Sequence, residues 1–158
     1  MAVRAVVITA SNRAAAGVYA DRGGPILVDG LRELGFEVAE PVVVPDGEPV
    51  EQALRAAVDQ DVDVVLTTGG TGLTPGDQTA QMTARVLDRP APGIAEAIRA
   101  FGVAQGVPAA MLSQGLAGVA GRTLVVNLPG STGGCRDGLA VLSPVLVHAV
   151  EQIRGGDH

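Results

Sequence analysis

Short apolar runs of strand length alternate along this chain with longer stretches in which apolar residues recur every three or four positions. Ala5-Val6-Val7-Ile8 lies within the strand-like segment Val3–Thr9 and has the β-branched, uninterrupted pattern of a strand covered on both faces. It leads through Thr9-Ala10-Ser11-Asn12-Arg13 into a loop from Gly17 to Gly24. Ile26, Leu27, Leu31 and Leu34 then line one face of a predicted helix, with Pro25 near its start and Gly35 at its end. Val42-Val43-Val44 predicts a second strand, closed by Pro45-Asp46-Gly47, and Val50, Leu54, Ala57 and Val58 follow at helical spacing. Val62–Thr67 predicts a third strand that runs straight into Gly69-Gly70-Thr71-Gly72. A short helix is predicted over Thr79–Leu87, and another after Pro92-Gly93, carrying Ile94, Ala97, Ile98 and Phe101. Leu124-Val125-Val126 predicts a strand that delivers Asn127-Leu128-Pro129-Gly130-Ser131. Leu139, Leu142, Leu146, Val150 and Ile153 share one face of a last helix; Pro144 falls inside it, so the helix is kinked there or starts twice.

Strands alternating with helices predict an α/β fold with a mostly parallel sheet covered on both sides, in one domain spanning residues 1–158. In such sheets ligands sit beyond the carboxyl ends of the strands. Four loops leave those ends: Ser11-Asn12-Arg13, Pro45-Asp46-Gly47, Thr67 to Asp77, and Asn127 to Gly134. Parallel strands would gather most of them on one edge, and there a binding site is expected.

Composition removes several chemistries. All 11 basic residues are arginine, which excludes a P-loop lysine, a Schiff-base lysine and a lysine general base. The single Cys135 excludes a disulfide framework and a multi-thiolate zinc site, and fits a reducing, cytoplasmic compartment. Two histidines, one of them the terminal His158, argue against a multi-histidine metal site. A net charge of −6 and 2% aromatic residues argue against nucleic acid as a partner. No apolar run reaches the roughly 20 residues needed to span a bilayer. The chain opens directly into strand-like sequence, so no leader peptide is expected.

Three constellations carry candidate chemistry. In Thr67-Thr68-Gly69-Gly70-Thr71-Gly72-Leu73-Thr74-Pro75-Gly76-Asp77-Gln78-Thr79, glycines permit close backbone approach to an anion while threonines add donors. The competing reading is a tight strand-to-helix turn, with Asp77 or Thr79 capping the helix. Pro75 stands where a third glycine of a dinucleotide fingerprint would fall. In Asn127–Gly134, Ser131, Thr132 and open glycine amides, with Arg136 just beyond, offer phosphate donors; a plain loop before a capped helix fits as well. Asp46 and Asp77 each follow a buried strand. Brought together near phosphates they would need a divalent cation such as Mg²⁺, or they are ordinary turn aspartates. Elsewhere His148 is expected to be structural and Cys135 packed. Asp59-Gln60-Asp61-Val62-Asp63 reads as a solvated helix end, and Glu96 with Arg99 as a surface pair.

Taken in order, these motifs resemble the molybdopterin-binding domain of molybdenum-cofactor biosynthesis, the family of molybdopterin adenylyltransferase and the matching domain of gephyrin. The resemblance rests on Ser11-Asn12-Arg13 with Gly17 and Asp21, Val44-Pro45-Asp46, and Thr67 to Gly72 with Asp77 and Thr79. It continues through Pro92-Gly93-Ile94-Ala95-Glu96-Ala97-Ile98-Arg99, Met111-Leu112-Ser113 and Asn127 to Ser131. It implies a three-layer α/β/α fold, a homotrimer, and Mg-ATP-dependent adenylylation of molybdopterin with release of pyrophosphate, ahead of molybdate insertion by a partner protein. By the same resemblance Asp46 and Asp77 are catalytic and hold Mg²⁺. Ser11, Gly69, Gly70, Thr71, Gly72, Thr79, Asn127, Pro129, Gly130, Ser131 and Arg136 are candidates for contacts to the two substrates.

The chain departs from that pattern. Gly76, Gln114 and Gly133 are neutral where basic residues are common, Thr132 replaces a proline, Ala80-Gln81 replaces Pro-Glu, and Asn12 replaces an aspartate. A non-catalytic pterin-binding paralogue is therefore the alternative, with a nucleotide hydrolase of the competence-damage type as a third reading.

Overall fold

The computed structural model describes residues 2–156, so His158 lies outside the described residues. The elements are β1 (Val3–Ala10), α1 (Asn12–Ala15), α2 (Gly23–Glu33), β2 (Phe36–Val38), β3 (Val42–Val44), α3 (Glu48–Asp59) and β4 (Val64–Thr68). They continue with α4 (Thr79–Ala84), β5 (Arg89–Pro90), α5 (Pro92–Ala104), a 3-10 turn (Pro108–Leu112), β6 (Ala117–Ala120), β7 (Thr123–Leu128), α6 (Thr132–Leu142) and α7 (Leu146–Ile153). The strands form one seven-stranded sheet in the order β2-β1-β4-β7-β6-β5. β2, β1, β4 and β7 run parallel; at one edge β6 pairs antiparallel with β7 and β5 antiparallel with β6, so β5 points the same way as the parallel strands. β3 also pairs with β1, end to end with β2: Phe36 lies opposite Val3, and Val42 opposite Ile8.

Side chains of a strand alternate between faces, and the two cores follow that alternation. Val7, Val64, Leu66, Val126 and Leu128 pack with Leu27, Leu31, Ile98, Leu142 and Leu146 from α2, α5, α6 and α7. Ile8, Val65 and Val125 pack on the other face with Val50, Leu54 and Met82 from α3 and α4. This is the three-layer α/β/α arrangement. Leu66 is fully buried in the central strand β4, where truncation to alanine costs about 2–5 kcal/mol.

Several sequence expectations change. At Pro144 the second of the two expected outcomes holds, and the helix starts twice: α6 ends at Leu142 and α7 begins at Leu146. The helix expected over Thr79–Leu87 ends at Ala84. β2, β5 and β6 were not anticipated, because two to four residues carry too little pattern. β5 contains a proline, tolerated on an edge strand, and a Cβ on Gly118 of β6 would overlap the Arg89 carbonyl. Asp63 is not a solvated helix end. It is 6% exposed and accepts from the Arg4 amide at 2.8 Å and the Arg154 guanidinium at 2.6 Å, so it ties the chain's last helix to β1 and β4. Arg99 does not pair with Glu96; it donates to the carbonyls of Ser113 and Gly115 at 3.3 and 2.9 Å. His148 is exposed and meets Gln152 at 3.0 Å.

Candidate functional site

The carboxyl ends of β1, β3, β4 and β7 converge, and backbone and side-chain hydrogen bonds lock them together. The Ser11 amide donates to the Val44 carbonyl at 2.9 Å, and the Asp46 amide donates to Asn12 Oδ1 at 3.0 Å, joining the exits of β1 and β3. Thr68 Oγ1 donates to the Pro129 carbonyl at 2.7 Å, and the Gly69 amide to the Leu128 carbonyl at 3.1 Å, joining β4 and β7. Over this rim lies an open cleft of about 610 Å³, lined among others by Ser11, Arg13, Tyr19, Asp21, Arg22, Asp46, Gly69, Gly70, Asp77 and Gly130. A second, more apolar cavity of about 470 Å³ adjoins it, lined by Thr71, Gly72, Leu73, Ile98, Val107, Leu112, Ser113, Pro129, Gly130 and Ser131. The two glycine-rich loops form the wall between them. Gly69 and Gly70 face the cleft and Thr71 and Gly72 the apolar cavity, while Gly130 borders both.

Glycine is required at the turn out of β4. Gly69 and Gly70 have φ of +94° and +67°, which L side chains rarely adopt. A Cβ on Gly70 would also overlap the Asp46 carboxylate and the Thr79 hydroxyl. This backbone thus lies directly against a candidate acid.

Asp46 is held by neutral donors. Oδ1 accepts from the Gly47 amide at 2.7 Å and Thr79 Oγ1 at 2.9 Å, and Oδ2 from the Gln78 amide at 3.0 Å. Asp77 Oδ2 accepts from the amide and hydroxyl of Thr74 at 3.2 and 2.7 Å, closing the turn over Gly72. Asp77 Oδ1 makes no hydrogen bond among the described residues, and Asp77 lines the cleft. No group of three His, Cys, Asp or Glu is gathered among the described residues. Asp46 and Asp77, which both line the cleft, are the residues that could give a cation carboxylate oxygens here, with phosphate and water completing its shell. That donor set is all oxygen and incomplete without a ligand, which suits Mg²⁺.

Three candidates have other places. Thr79 is fully buried and touches Asp46, so its hydroxyl positions the acid rather than meeting a ligand. Asn127 is 4% exposed. Its amide donates to Thr67 Oγ1 at 2.9 Å and Thr83 Oγ1 at 3.0 Å, and its Oδ1 accepts from the Leu116 amide at 3.0 Å. It is consumed inside the fold, between β4, β7 and α4. Arg136 is exposed and lines neither cavity, although Gly133, Gly134 and Asp137 of the same helix line the second. Ser131 caps α6 by accepting from the Gly134 amide at 3.0 Å. Burial pushes the Cys135 thiol above the usual cysteine range, against a weaker lowering by its Thr68 contact; it packs, as expected.

Sequence reasoning missed Tyr19 and Arg22 as cleft residues. Both lie in the loop between α1 and α2, which leaves the carboxyl end of β1; that placement was the available signal.

Residues 6–148 match the family described as "Probable molybdopterin binding domain". The chain is 38% identical over 157 residues to a molybdenum cofactor biosynthesis bifunctional protein of Chlorobaculum tepidum, covering 98% of this chain and 50% of that one; it thus spans about half the length of that relative. It is 33% identical over 153 residues to a molybdopterin adenylyltransferase of Helicobacter pylori, covering 94% and 86% of the two chains. The structure matches that of a molybdopterin biosynthesis Mog protein from Mycobacterium ulcerans with a TM-score of 0.93 and 49% identity, over 98% of this chain and 99% of that chain.

Proposed function

Since the chain belongs to the molybdopterin-binding-domain family of molybdenum-cofactor biosynthesis, we propose that it is a nucleotidyltransferase. In this reading it joins the adenylyl group of Mg-ATP to the terminal phosphate of molybdopterin and releases pyrophosphate. The observation that supports this most is the pair of adjoining cavities, one polar and one largely apolar, that share Gly130 and are divided by the Gly69–Gly72 turn. Two substrates held on either side of so thin a wall would meet beside Asp46 and Asp77.

The chemistry needs positioning more than a protein nucleophile. The attacking phosphate oxygen is already anionic, so no side chain has to remove a proton. Neither cavity is lined by histidine or cysteine, in keeping with that demand. The Gly69–Gly72 turn admits phosphate oxygens close to the backbone, and Arg13 and Arg22 offset their charge. Thr79, Gln78 and Gly47 hold the Asp46 carboxylate in one orientation. Mg²⁺ held by Asp46 and Asp77 would neutralise charge that builds on the phosphates. A group fixed in this way accelerates reaction chiefly by orientation.

The test is incubation of the purified protein with molybdopterin and Mg-ATP, followed by chromatography for the adenylylated pterin. Folded protein that forms none ends the enzyme reading. The alternative, a non-catalytic pterin binder, is favoured by the neutral Gly76 in the cleft wall and Gly133 in the apolar cavity. Calorimetric binding of molybdopterin without turnover identifies it. A homotrimer is part of the proposal and is supported by the exposed apolar side chains Val107, Met111 and Leu112 beside the second cavity; sedimentation as a monomer at micromolar concentration refutes it. A molybdate-insertion protein is the proposed recipient of the product.

A further inference from the structure

The cleft must accept a polyanion although three carboxylates line it, those of Asp21, Asp46 and Asp77. Two sources of positive potential are available there, helix N-termini and guanidinium groups. Three helix starts, those of α1, α2 and α6, are already provided for. Ser11 accepts from the first turn of α1, Asp21 Oδ1 accepts from the Gly24 amide of α2 at 3.0 Å, and Ser131 accepts from the first turn of α6. The guanidiniums divide sharply. Arg4, Arg32, Arg55, Arg85, Arg99 and Arg154 are engaged with carbonyls or carboxylates of the fold. Among the described residues Arg13, Arg22, Arg89, Arg122 and Arg136 make neither an ion pair nor a side-chain hydrogen bond, and of these five Arg13 and Arg22 line the cleft. The backbone carrying Arg13 is fixed, since Ser11 caps α1 and Asn12 holds the Asp46 amide. Arg22 directly precedes the buried Gly23 and Gly24 of α2.

We propose that Arg13 and Arg22 form a two-pronged grip on the polyphosphate chain of the nucleotide, in the same cleft as Asp46 and Asp77. Each planar guanidinium can take two phosphate oxygens at once, and neither has a protein partner to give up. The inference rests on reading this cleft as the nucleotide site. It adds that recognition of the phosphates is a binding function separable from the chemistry.

Inorganic tripolyphosphate is the probe, because it carries the charge without a base. Calorimetry with the native protein, Arg13→Gln, Arg22→Gln, the double variant and Arg122→Gln gives the affinities. Arg122 lies at the β6–β7 turn and lines neither the cleft nor the apolar cavity. The chain has one tyrosine and no tryptophan, and Tyr19, bonded to Ser11 Oγ at 3.0 Å, borders the cleft. Tyrosine emission therefore reports on occupancy of this cleft.

Each cleft variant is expected to bind tripolyphosphate and Mg-ATP about tenfold or more weakly, the order for loss of one charge-assisted contact. Arg122→Gln should match the native protein, and tyrosine emission should saturate at the calorimetric midpoint. A folded double variant with native affinity, native protein that binds no tripolyphosphate, or binding that leaves tyrosine emission unchanged overturns the grip. Native protein that binds through these arginines yet forms no adenylylated pterin leaves the grip standing and removes the catalytic reading. Full turnover with unchanged ATP affinity in the double variant does the reverse.

Discussion

Replacing each of the two acids by asparagine should separate what they do for the fold from what they do at the cleft. Asp46 accepts from three donors spread over both oxygens. In Asp46→Asn one oxygen becomes an amino group that has to face a donor. The better orientation keeps the carbonyl oxygen toward Gly47 and Thr79 and turns the amino group onto the Gln78 amide. One charge-assisted hydrogen bond is then lost and two others become neutral. A hydrogen bond to a charged group contributes about 1.5–3 kcal/mol, so roughly 2 kcal/mol of stability should go. For a chain of this length that is a fall in Tm of about 4–8 °C. Asp77 differs, since a single oxygen, Oδ2, takes both bonds from Thr74. In Asp77→Asn the carbonyl can keep that place while the amino group points to the cleft, and Tm should fall by no more than about 2 °C. Both variants should lose most of the adenylylation activity, Asp77→Asn at almost native stability. Urea unfolding and scanning calorimetry, run beside the product assay, decide it. Equal melting temperatures for the two variants would refute the hydrogen-bond argument. An Asp77→Asn protein whose activity falls only in step with its stability would refute a role at the cleft.

Other consequences follow from single contacts. Gly70→Ala forces a side chain into φ of +67° and onto Asp46 and Thr79. It should cost at least about 1–2 kcal/mol and abolish activity; a native-like melt and turnover would contradict the turn geometry. Arg154→Ala leaves the buried Asp63 carboxylate with the Arg4 amide alone. The loss, about 2 kcal/mol after allowing for the partly exposed Arg154, should appear as a lower urea midpoint with ATP affinity unchanged. Cys135, buried and with its thiol raised by that burial, should react with a thiol reagent at neutral pH only as fast as the protein opens. Below its unfolded pKa near 9.0 the neutral thiol adds its full share of stability, and that share is lost as pH rises beyond it. Labelling at the rate of an exposed cysteine would contradict the packing.

Glu51 gives a weaker case at the acid end. Hydrogen bonds from Arg85, then Arg55, hold its carboxyl below the ordinary value of 4.5. Its bridge between α3 and the segment after α4 is therefore present above that value and is lost as pH falls through the lowered one. Being exposed, the bridge should show in local amide exchange of the α3–α4 contact rather than in the global melt. Exchange there that stays constant across the acid range would contradict it.

Local pattern was enough for the central architecture. β1, β3, β4 and β7, with the helices between them, could be read because β-branched runs and three-to-four spacing are written within ten consecutive residues. The exits of those strands and the glycines that turn them were legible for the same reason, and so was the family resemblance. Partnerships across the chain had to wait for the tertiary structure. Asp46 meets Thr79, 33 positions away, and Thr68 meets Pro129, 61 away; no local pattern specifies such pairs. Asn127 shows the difference most plainly. Beside Pro129 and Ser131 it reads as a ligand contact, but the β4–β7 register sets it opposite Thr67, and its side chain is spent inside the fold. Arg136 and Arg22 exchange places in the same way: a helix carries the first away from the cleft, while an irregular loop brings the second to it. Sequence determines which short segments become strands and helices, because that preference is local. Which polar groups stay available to a ligand depends on long-range hydrogen bonding, and only the folded chain decides that.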